Sequence, residues 1–319
     1  MIDRDLLLRM YDLMCLQRLF EEKCYFLFLQ GLMPSSIHQS HGQEASQVGS
    51  CINLRKDDWL FAGHRSVGHY LTKGIPAKLL MAELMMKKLG CAGGMGGALH
   101  FSSSEYYCPP GAGILGSSYT HATGAALACQ IKRTDQVVMA IIGDGGINEG
   151  AVYEAMNFAM YKSLPIVFVC ENNFYGASTH VKLVNAVENI AEKAKAYNME
   201  AYTIDGNDII AVYEQSSYAI EKARSGSGPT FLEIQTYRIA GHSRGDTNSY
   251  RDKSEEKAWL SRDPITLVET YLQKKFQISA NHFEDTKDRL RLVVDDAVDF
   301  AMTCPEPLLE DAIGFVFSE

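Results

Sequence analysis

The chain has 319 residues, 46% of them apolar, and a formal net charge of −9. That length accommodates one large α/β domain or two smaller ones with a sizeable core, and the acidic balance argues against non-specific nucleic-acid binding, which needs a basic face. No apolar run is long enough to cross a bilayer.

At the start, Asp3, Arg4, Asp5 and Arg9 stand among apolar residues. That profile fits neither a signal peptide nor an acid-poor transit peptide, so Met1 is expected to begin the mature protein and a cytoplasmic location is expected. The eight cysteines include no Cys-x-x-Cys pair. Several lie in apolar segments, the pattern of buried reduced thiols rather than of zinc ligands or disulfides.

Apolar residues at helical spacing from position 6 to 20 predict a long helix over 3–30, ended by Gly31 and burying one face. His38 and His41 follow in a polar loop, where histidines read from their surroundings alone are solvated side chains. Residues 59–62 predict a short strand ending at Gly63-His64-Arg65-Ser66. An arginine just past a strand end either grips a phosphate through paired hydrogen bonds or neutralises a surface carboxylate. Five glycines within 90–97 predict a loop that approaches a ligand closely or simply turns.

The segment 111–116 fits G-x-G-x-x-G, with Asp135 about 20 positions on, and supports a rival reading as a nicotinamide dehydrogenase. Tyr106-Tyr107-Cys108-Pro109-Pro110 precedes it, and consecutive prolines cannot stand in the central strand that motif requires. In the small-residue segment 121–130, Gly124 and Ala128 would admit a close helix from the core or from another subunit.

The densest signal runs from 137 to 176. Residues 137–142 predict a buried strand, Gly143-Asp144-Gly145-Gly146 a turn, and Val152, Ala155, Met156, Ala159 and Met160 a helix with Asn148 as its N-cap. Ser163-Leu164-Pro165 stops that helix, and 166–170 predict a second buried strand ending at Glu171-Asn172-Asn173. A strand–helix–strand crossover this short makes the strands parallel and brings Asp144 and Asn173 to one sheet edge. There a carboxylate, an amide oxygen and bare backbone N–H groups suit Mg²⁺ carrying a diphosphate. Beyond it, 185–197 read as helix, 201–204 as extended, 209–224 as helix and 231–237 as strand. Residues 238–263 form a polar stretch without sustained periodicity, long enough to suspect function or disorder.

Gly143-Asp144-Gly145 and Glu171-Asn172-Asn173, with 173 − 144 = 29 positions from Asp144 to Asn173, resemble the thiamin diphosphate motif. Four further stretches resemble the alpha subunit of the decarboxylating component of 2-oxo acid dehydrogenase complexes. They are His38 through Gly42-Gln43-Glu44-Ala45, Gly90-Cys91 through Gly96-Gly97-Ala98-Leu99-His100, Gln235-Thr236-Tyr237-Arg238 through Gly241-His242-Ser243, and Ser249-Tyr250-Arg251. Pro305-Glu306-Pro307-Leu308 resembles that family's C-terminal end.

The resemblance implies one thiamin diphosphate-binding α/β domain over 1–319: a parallel sheet with helices on both faces, an N-terminal helix (1–30), an active-site loop (238–263) and a C-terminal helical extension (264–319). It implies Mg²⁺ on Asp144, Asn173 and the Tyr175 backbone carbonyl. The diphosphate would meet Gly143, Gly145, Gly146, His64, Arg65 and His242, and the aminopyrimidine end Gly113 and Leu115. Leu115 would be the wedge that bends the cofactor, or else an ordinary core leucine. His38 and His242 would face the reacting carbonyl as the catalytic pair, while His41 stays a loop side chain.

The carboxylate that activates the aminopyrimidine matches no motif here, and in the family a separate beta subunit supplies it. This implies an alpha2beta2 assembly serving a lipoyl acyltransferase core. The implied activity is oxidative decarboxylation of a 2-oxo acid, pyruvate ahead of branched-chain acids, with acetoin cleavage as the alternative sharing every motif. A non-catalytic cofactor-binding subunit is a further reading, against which His38 and His242 argue. Gly93, Met95 and Ala98 stand where relatives commonly carry Lys, Lys and Ser, which leaves substrate and partner preference open. Ser243 and Ser249 match regulatory phosphorylation positions of mitochondrial relatives, and nothing else in the chain asks for the kinase.

Overall fold

A computed structural model describes residues 2–34, 37–111, 113–243 and 245–313. The expectations made for Met1, for Ala112 of the G-x-G-x-x-G segment and for 314–319 lie outside the described residues.

Helix α1 (Arg4–Leu29) starts where the Asp3 carboxylate accepts the Leu6 N–H at 2.7 Å. It ends just before Gly31, whose φ of +73° lets the chain turn away. Helix α2 (Glu44–Cys51), strand β1 (Trp59–Phe61) and helices α3 (Val67–Lys73), α4 (Ala77–Leu84) and α5 (Ser117–Lys132) follow. Strand β2 (Val138–Gly143), helix α6 (Gly150–Lys162) and strand β3 (Ile166–Asn172) form the expected central unit. A hairpin of β4 (Tyr175–Gly176) and β5 (Thr179–His180) leads to β6 (Glu200–Asp205), α7 (Ile209–Arg224) and β7 (Thr230–Gln235). Helices α8 (Lys253–Leu260), α9 (Pro264–Phe276), α10 (Ala280–Thr303) and α11 (Leu309–Ile313) complete the described chain.

Five strands form one parallel sheet in the order β1-β2-β3-β7-β6. Both faces are covered, which is why β2 reads as a continuous apolar run instead of alternating. Val138, Ala140 and Ile142 join Ile166, Phe168 and Cys170 in a layer with α5 and α6. Met139 and Ile141 join Val167, Val169, Leu232 and Ile234 in the opposite layer, against α3, α4, α7 and parts of α1 and α10. A third apolar group, with Leu7, Met10 and Met14, ties the start of α1 to α9 and α10.

Four expectations need correction. Asn148 does not cap α6: Glu149 holds that position without a side-chain cap bond, and the Asn148 amide donates instead to the Val184 carbonyl at 3.1 Å. The stretch 185–197 is helical only over Ile190–Tyr197, as 3-10 turns. The polar stretch 238–263 contains α8, capped where Asp252 accepts the Ser254 N–H at 2.7 Å. No residue of α8 is fully buried, so it lacks the apolar stripe that reveals a helix in sequence. Gly124 and Ala128 are exposed, and a Cβ at Gly124 would meet nothing within 4 Å, so among the described residues no core helix packs there, and only the other half of the expectation, a contact with another subunit, is left. None of the eight cysteines is in a disulfide, and seven are buried. Among the described residues no helix is long and apolar enough to cross a membrane.

Candidate active site

Register places the ends of the central strands together. Gly143 pairs with Glu171 across β2 and β3, and Asn172 with Gln235 across β3 and β7. The turns that follow leave the sheet on one edge, where the segment after β1 also arrives. A cavity of about 660 Å³ opens there. Gly143, Asp144, Gly145 and Gly146 form one wall, with Asn173 and Tyr175 beside them. His64 and Arg65 line it from β1, Gly113 and Leu115 from the segment before α5, and His38 and His242 from their loops. Every site residue expected from the sequence thus borders one space, and His41, expected to stay out of it, does not line it.

The turn after β2 is tight at Gly145. A Cβ on Gly145 would stand 3.1 Å from the Gly176 Cα, so the two backbones meet as glycine against glycine. Asp144 is 3% exposed, and burial pushes its carboxyl up to about 6, against nearby backbone N–H groups and the charges of Arg238 and Arg65. Asn173, also buried, donates from its amide to Gln43 Oε1 at 3.3 Å while its oxygen accepts the Tyr175 N–H at 3.3 Å. The Tyr175 ring lies among aromatic neighbours and its hydroxyl donates to Glu255 at 2.7 Å. Any ligand contact by Tyr175 at the Asp144 side therefore comes from its backbone.

Three arginines cluster by these groups, of which Arg65 and Arg238 line the cavity. Arg65 donates to the Gln39 carbonyl at 2.7 Å and the His242 carbonyl at 2.9 Å. Burial, reinforced by Arg238, lowers its proton affinity to about 9. Arg238 is fully buried, donating to the Ala177 carbonyl and the Tyr250 hydroxyl, each at 2.9 Å. Arg251, 5% exposed, lies 5.1 Å from the ring centres of both Tyr175 and Tyr237. Among the described residues none of these three guanidiniums forms an ion pair with a carboxylate. The His38 ring centre is 5.2 Å from that of His242 and 5.9 Å from that of His64. Burial and then Arg65 push both His38 and His242 down to about 4, so both rings are neutral at physiological pH.

The structure adds residues the sequence reading passed over. Arg238 follows β7 as Arg65 follows β1, so the same strand-end logic could have found it. Gln43 and Glu171 also line the cavity; Glu171 accepts the Ser46 hydroxyl at 2.5 Å and lies 3.2 Å from His69 Nε2. Glu83, fully buried on α4, accepts the backbone N–H groups of Ala92, Gly94, Gly96 and Gly97 at 2.7–3.0 Å. The glycine-rich loop is therefore wrapped around a carboxylate of this chain, and Gly93, Met95 and Ala98 do not line the cavity. The segment 111–116 has no strand leading into it: β1 ends before it, β2 begins after α5, and Gly116 stands at the N-cap of α5. The nicotinamide reading lacks its structural context.

The family model for the dehydrogenase E1 component matches residues 11–310. The chain is 39% identical over 299 residues to the alpha subunit of acetoin:2,6-dichlorophenolindophenol oxidoreductase of Bacillus subtilis (strain 168), covering 93% of this chain and 89% of that one. It is 36% identical over 301 residues to the pyruvate dehydrogenase E1 alpha subunit of Rhizobium meliloti (strain 1021), covering 94% and 86%. Identity is 34% over 313 residues to the somatic mitochondrial pyruvate dehydrogenase E1 alpha subunit of Homo sapiens, covering 98% and 79%. The chain belongs to the dehydrogenase E1 component family, among the alpha subunits of thiamin diphosphate-dependent 2-oxo acid and acetoin dehydrogenases.

Proposed function

We propose that the cavity binds thiamin diphosphate with Mg²⁺, and that the chain is the alpha subunit of an alpha2beta2 enzyme that oxidatively decarboxylates a 2-oxo acid and passes the acyl group to lipoamide on an acyltransferase core. The observation that carries this is a buried Asp144 carboxyl that forms no ion pair among the described residues, beside buried guanidiniums that likewise form none with a carboxylate. Each half needs what a magnesium diphosphate would bring: a hard cation for the carboxylate and amide oxygens, and an anion for the arginines.

In this reading the Asp144 and Asn173 side chains and the Tyr175 carbonyl hold the metal. The Gly145 and Gly146 amides, with Arg65, His64 and His242, hold the diphosphate, and Gly143 sets the turn. Gly113 and Leu115 carry the aminopyrimidine end. When bound, thiamin diphosphate supplies a nucleophilic carbon and an electron sink for breaking the bond beside a carbonyl. His38 and His242, both neutral, offer hydrogen bonds to the reacting oxygen rather than fixed charge. Glu171, already engaged by Ser46, is not assigned to activate the aminopyrimidine; that carboxylate is assigned to the beta subunit.

Pyruvate is favoured as substrate. Acetoin is the second reading, supported by the 39% identity to the acetoin enzyme's subunit. Isothermal titration of thiamin diphosphate and Mg²⁺ into the chain assembled with its beta partner tests the site. Asp144→Ala is expected to lose more than the roughly 10- to 100-fold in affinity that loss of an outer-shell partner of a metal site costs, and unchanged affinity overturns the assignment. Turnover of pyruvate, branched-chain 2-oxo acids and acetoin by the same assembly then selects the substrate.

A further inference from the structure

Two arginines address one ring nitrogen of His242. Arg65 Nη2 lies 3.1 Å and Arg238 Nη1 lies 3.0 Å from His242 Nδ1. A guanidinium can only donate. Both contacts therefore require a lone pair on Nδ1, and a proton there would point at two cations.

We infer that Arg65 and Arg238 lock His242 as the neutral Nε2–H tautomer, so that the ring presents only a hydrogen-bond donor at its outer nitrogen, with Arg238 as the positioning residue. The Arg238 fork is itself fixed: Nη2 donates to the Ala177 carbonyl and the Tyr250 hydroxyl, which leaves Nη1 for the ring. Arg65 is fixed at both nitrogens, by the carbonyls of Gln39 and His242.

The other charged or titratable groups facing the ring do not reverse this. His64 and His38 approach from their loops, and Asp246 is the one carboxylate among the described groups that act on it. Asp246 is occupied by the His242 backbone N–H at 2.7 Å, the Asn248 N–H at 2.9 Å and the Tyr250 hydroxyl at 2.6 Å. It therefore holds the backbone of His242 instead of its ring. The depressed proton affinity of His242 points the same way, since burial and then the two arginines oppose a second ring proton.

The chemical consequence is a division of labour. With Nε2 already protonated and Nδ1 covered, His242 can donate a hydrogen bond to an oxygen in the cavity but cannot accept a proton from a reacting group. That consequence rests on the cofactor reading of the cavity; the tautomer itself does not.

The test is ¹⁵N NMR of the full chain labelled in histidine, without cofactor, at pH 7, with His242→Gln identifying the signal. The expected spectrum shows His242 with a bare Nδ1 and a protonated Nε2. A ring protonated at Nδ1, or at both nitrogens, overturns the inference. The double variant Arg65→Met/Arg238→Met should convert the signal to a mixture of tautomers, and an unchanged tautomer in the folded variant refutes the arginine lock. Should that variant not fold, the wild-type chain labelled in both arginine and histidine replaces it: magnetisation transfer from guanidinium protons to Nδ1 is expected, and its absence refutes the lock. A failed cofactor titration with the Nε2–H signal intact would overturn the cavity reading alone.

Discussion

Glu21 carries the clearest stability test. Its side chain leaves α1 at 1% exposure and meets Ser40, whose backbone N–H donates at 2.8 Å and whose hydroxyl also donates. The Gln39 amide donates to the Glu21 carbonyl at 3.1 Å, and Arg65 in turn donates to the Gln39 carbonyl. The segment carrying His38 is thus pinned to α1. Burial raises the Glu21 carboxyl from the ordinary 4.5 to about 8, with Ser40 and Arg65 opposing and Glu44 adding to the rise. Between those pH values the folded chain holds a proton that the unfolded chain has released, so stability falls as pH rises through the window. At about 1.4 kcal/mol per unit, the full penalty above pH 8 is on the order of 5 kcal/mol. Glu21→Gln keeps an acceptor for the Ser40 N–H, gives its amide hydrogens to the hydroxyl and carries no charge at any pH. Urea unfolding is expected to put variant and wild type within ~1 kcal/mol at pH 5 and to favour the variant by several kcal/mol at pH 9. Parallel stability curves across that range would refute the reasoning.

The chain purified alone should reduce no dichlorophenolindophenol with pyruvate or acetoin, and turnover without a beta partner would contradict the shared site. Leu115→Ala, at a cavity-lining position 48% exposed, should lower kcat by roughly 10²-fold with little change in cofactor affinity, as misplacement of a reacting group does; a loss confined to affinity would return Leu115 to ordinary packing. Glu83→Ala strips an acceptor from four backbone N–H groups and should cost on the order of 3 kcal/mol. Limited proteolysis should then cut within 90–97, and an uncut loop would show that Glu83 does not order it.

The crossover was legible because parallel strands covered on both faces read as unbroken apolar runs, and Pro165 marks where α6 must stop. The meeting of Asp144 and Asn173 followed from connectivity alone. His38 was legible only through resemblance, because a histidine in a largely polar loop carries no signal of burial. Glu21 and Glu83 stayed hidden for a related reason: a carboxylate in an amphipathic helix reads as solvent-facing, and here both turn inward to hold loops that arrive from elsewhere in the chain. Helix α8 was missed because its contacts fall on partly exposed side chains, Trp259 stacking on Tyr237 at 5.4 Å and Glu255 accepting the Tyr175 hydroxyl at 2.7 Å, and no residue of it is fully buried. The pairing of Arg65 and Arg238 on His242 joins positions 177 residues and 4 residues away, a convergence that no spacing rule encodes.

These groups share a thermodynamic logic. Glu21, Asp144, Arg65 and Arg238 all stand where their charged forms are disfavoured, and each costs the free chain stability. Burial lowers the proton affinities of the arginines and burial raises those of the carboxyls, so the two signs have not cancelled within the chain. Two apolar layers clamp the sheet and offset the cost, keeping the strand ends fixed while their polar groups remain under-satisfied. At the mouth the wall is apolar and open: Ile114 is 78% and Val184 53% exposed although both line the cavity. Arginines that form no ion pair with a carboxylate among the described residues, beneath an exposed apolar rim, suit a site finished by two additions, a magnesium diphosphate for the floor and a second chain for the rim. That physical incompleteness is a separate argument for the alpha-subunit reading, independent of the motifs that first suggested it.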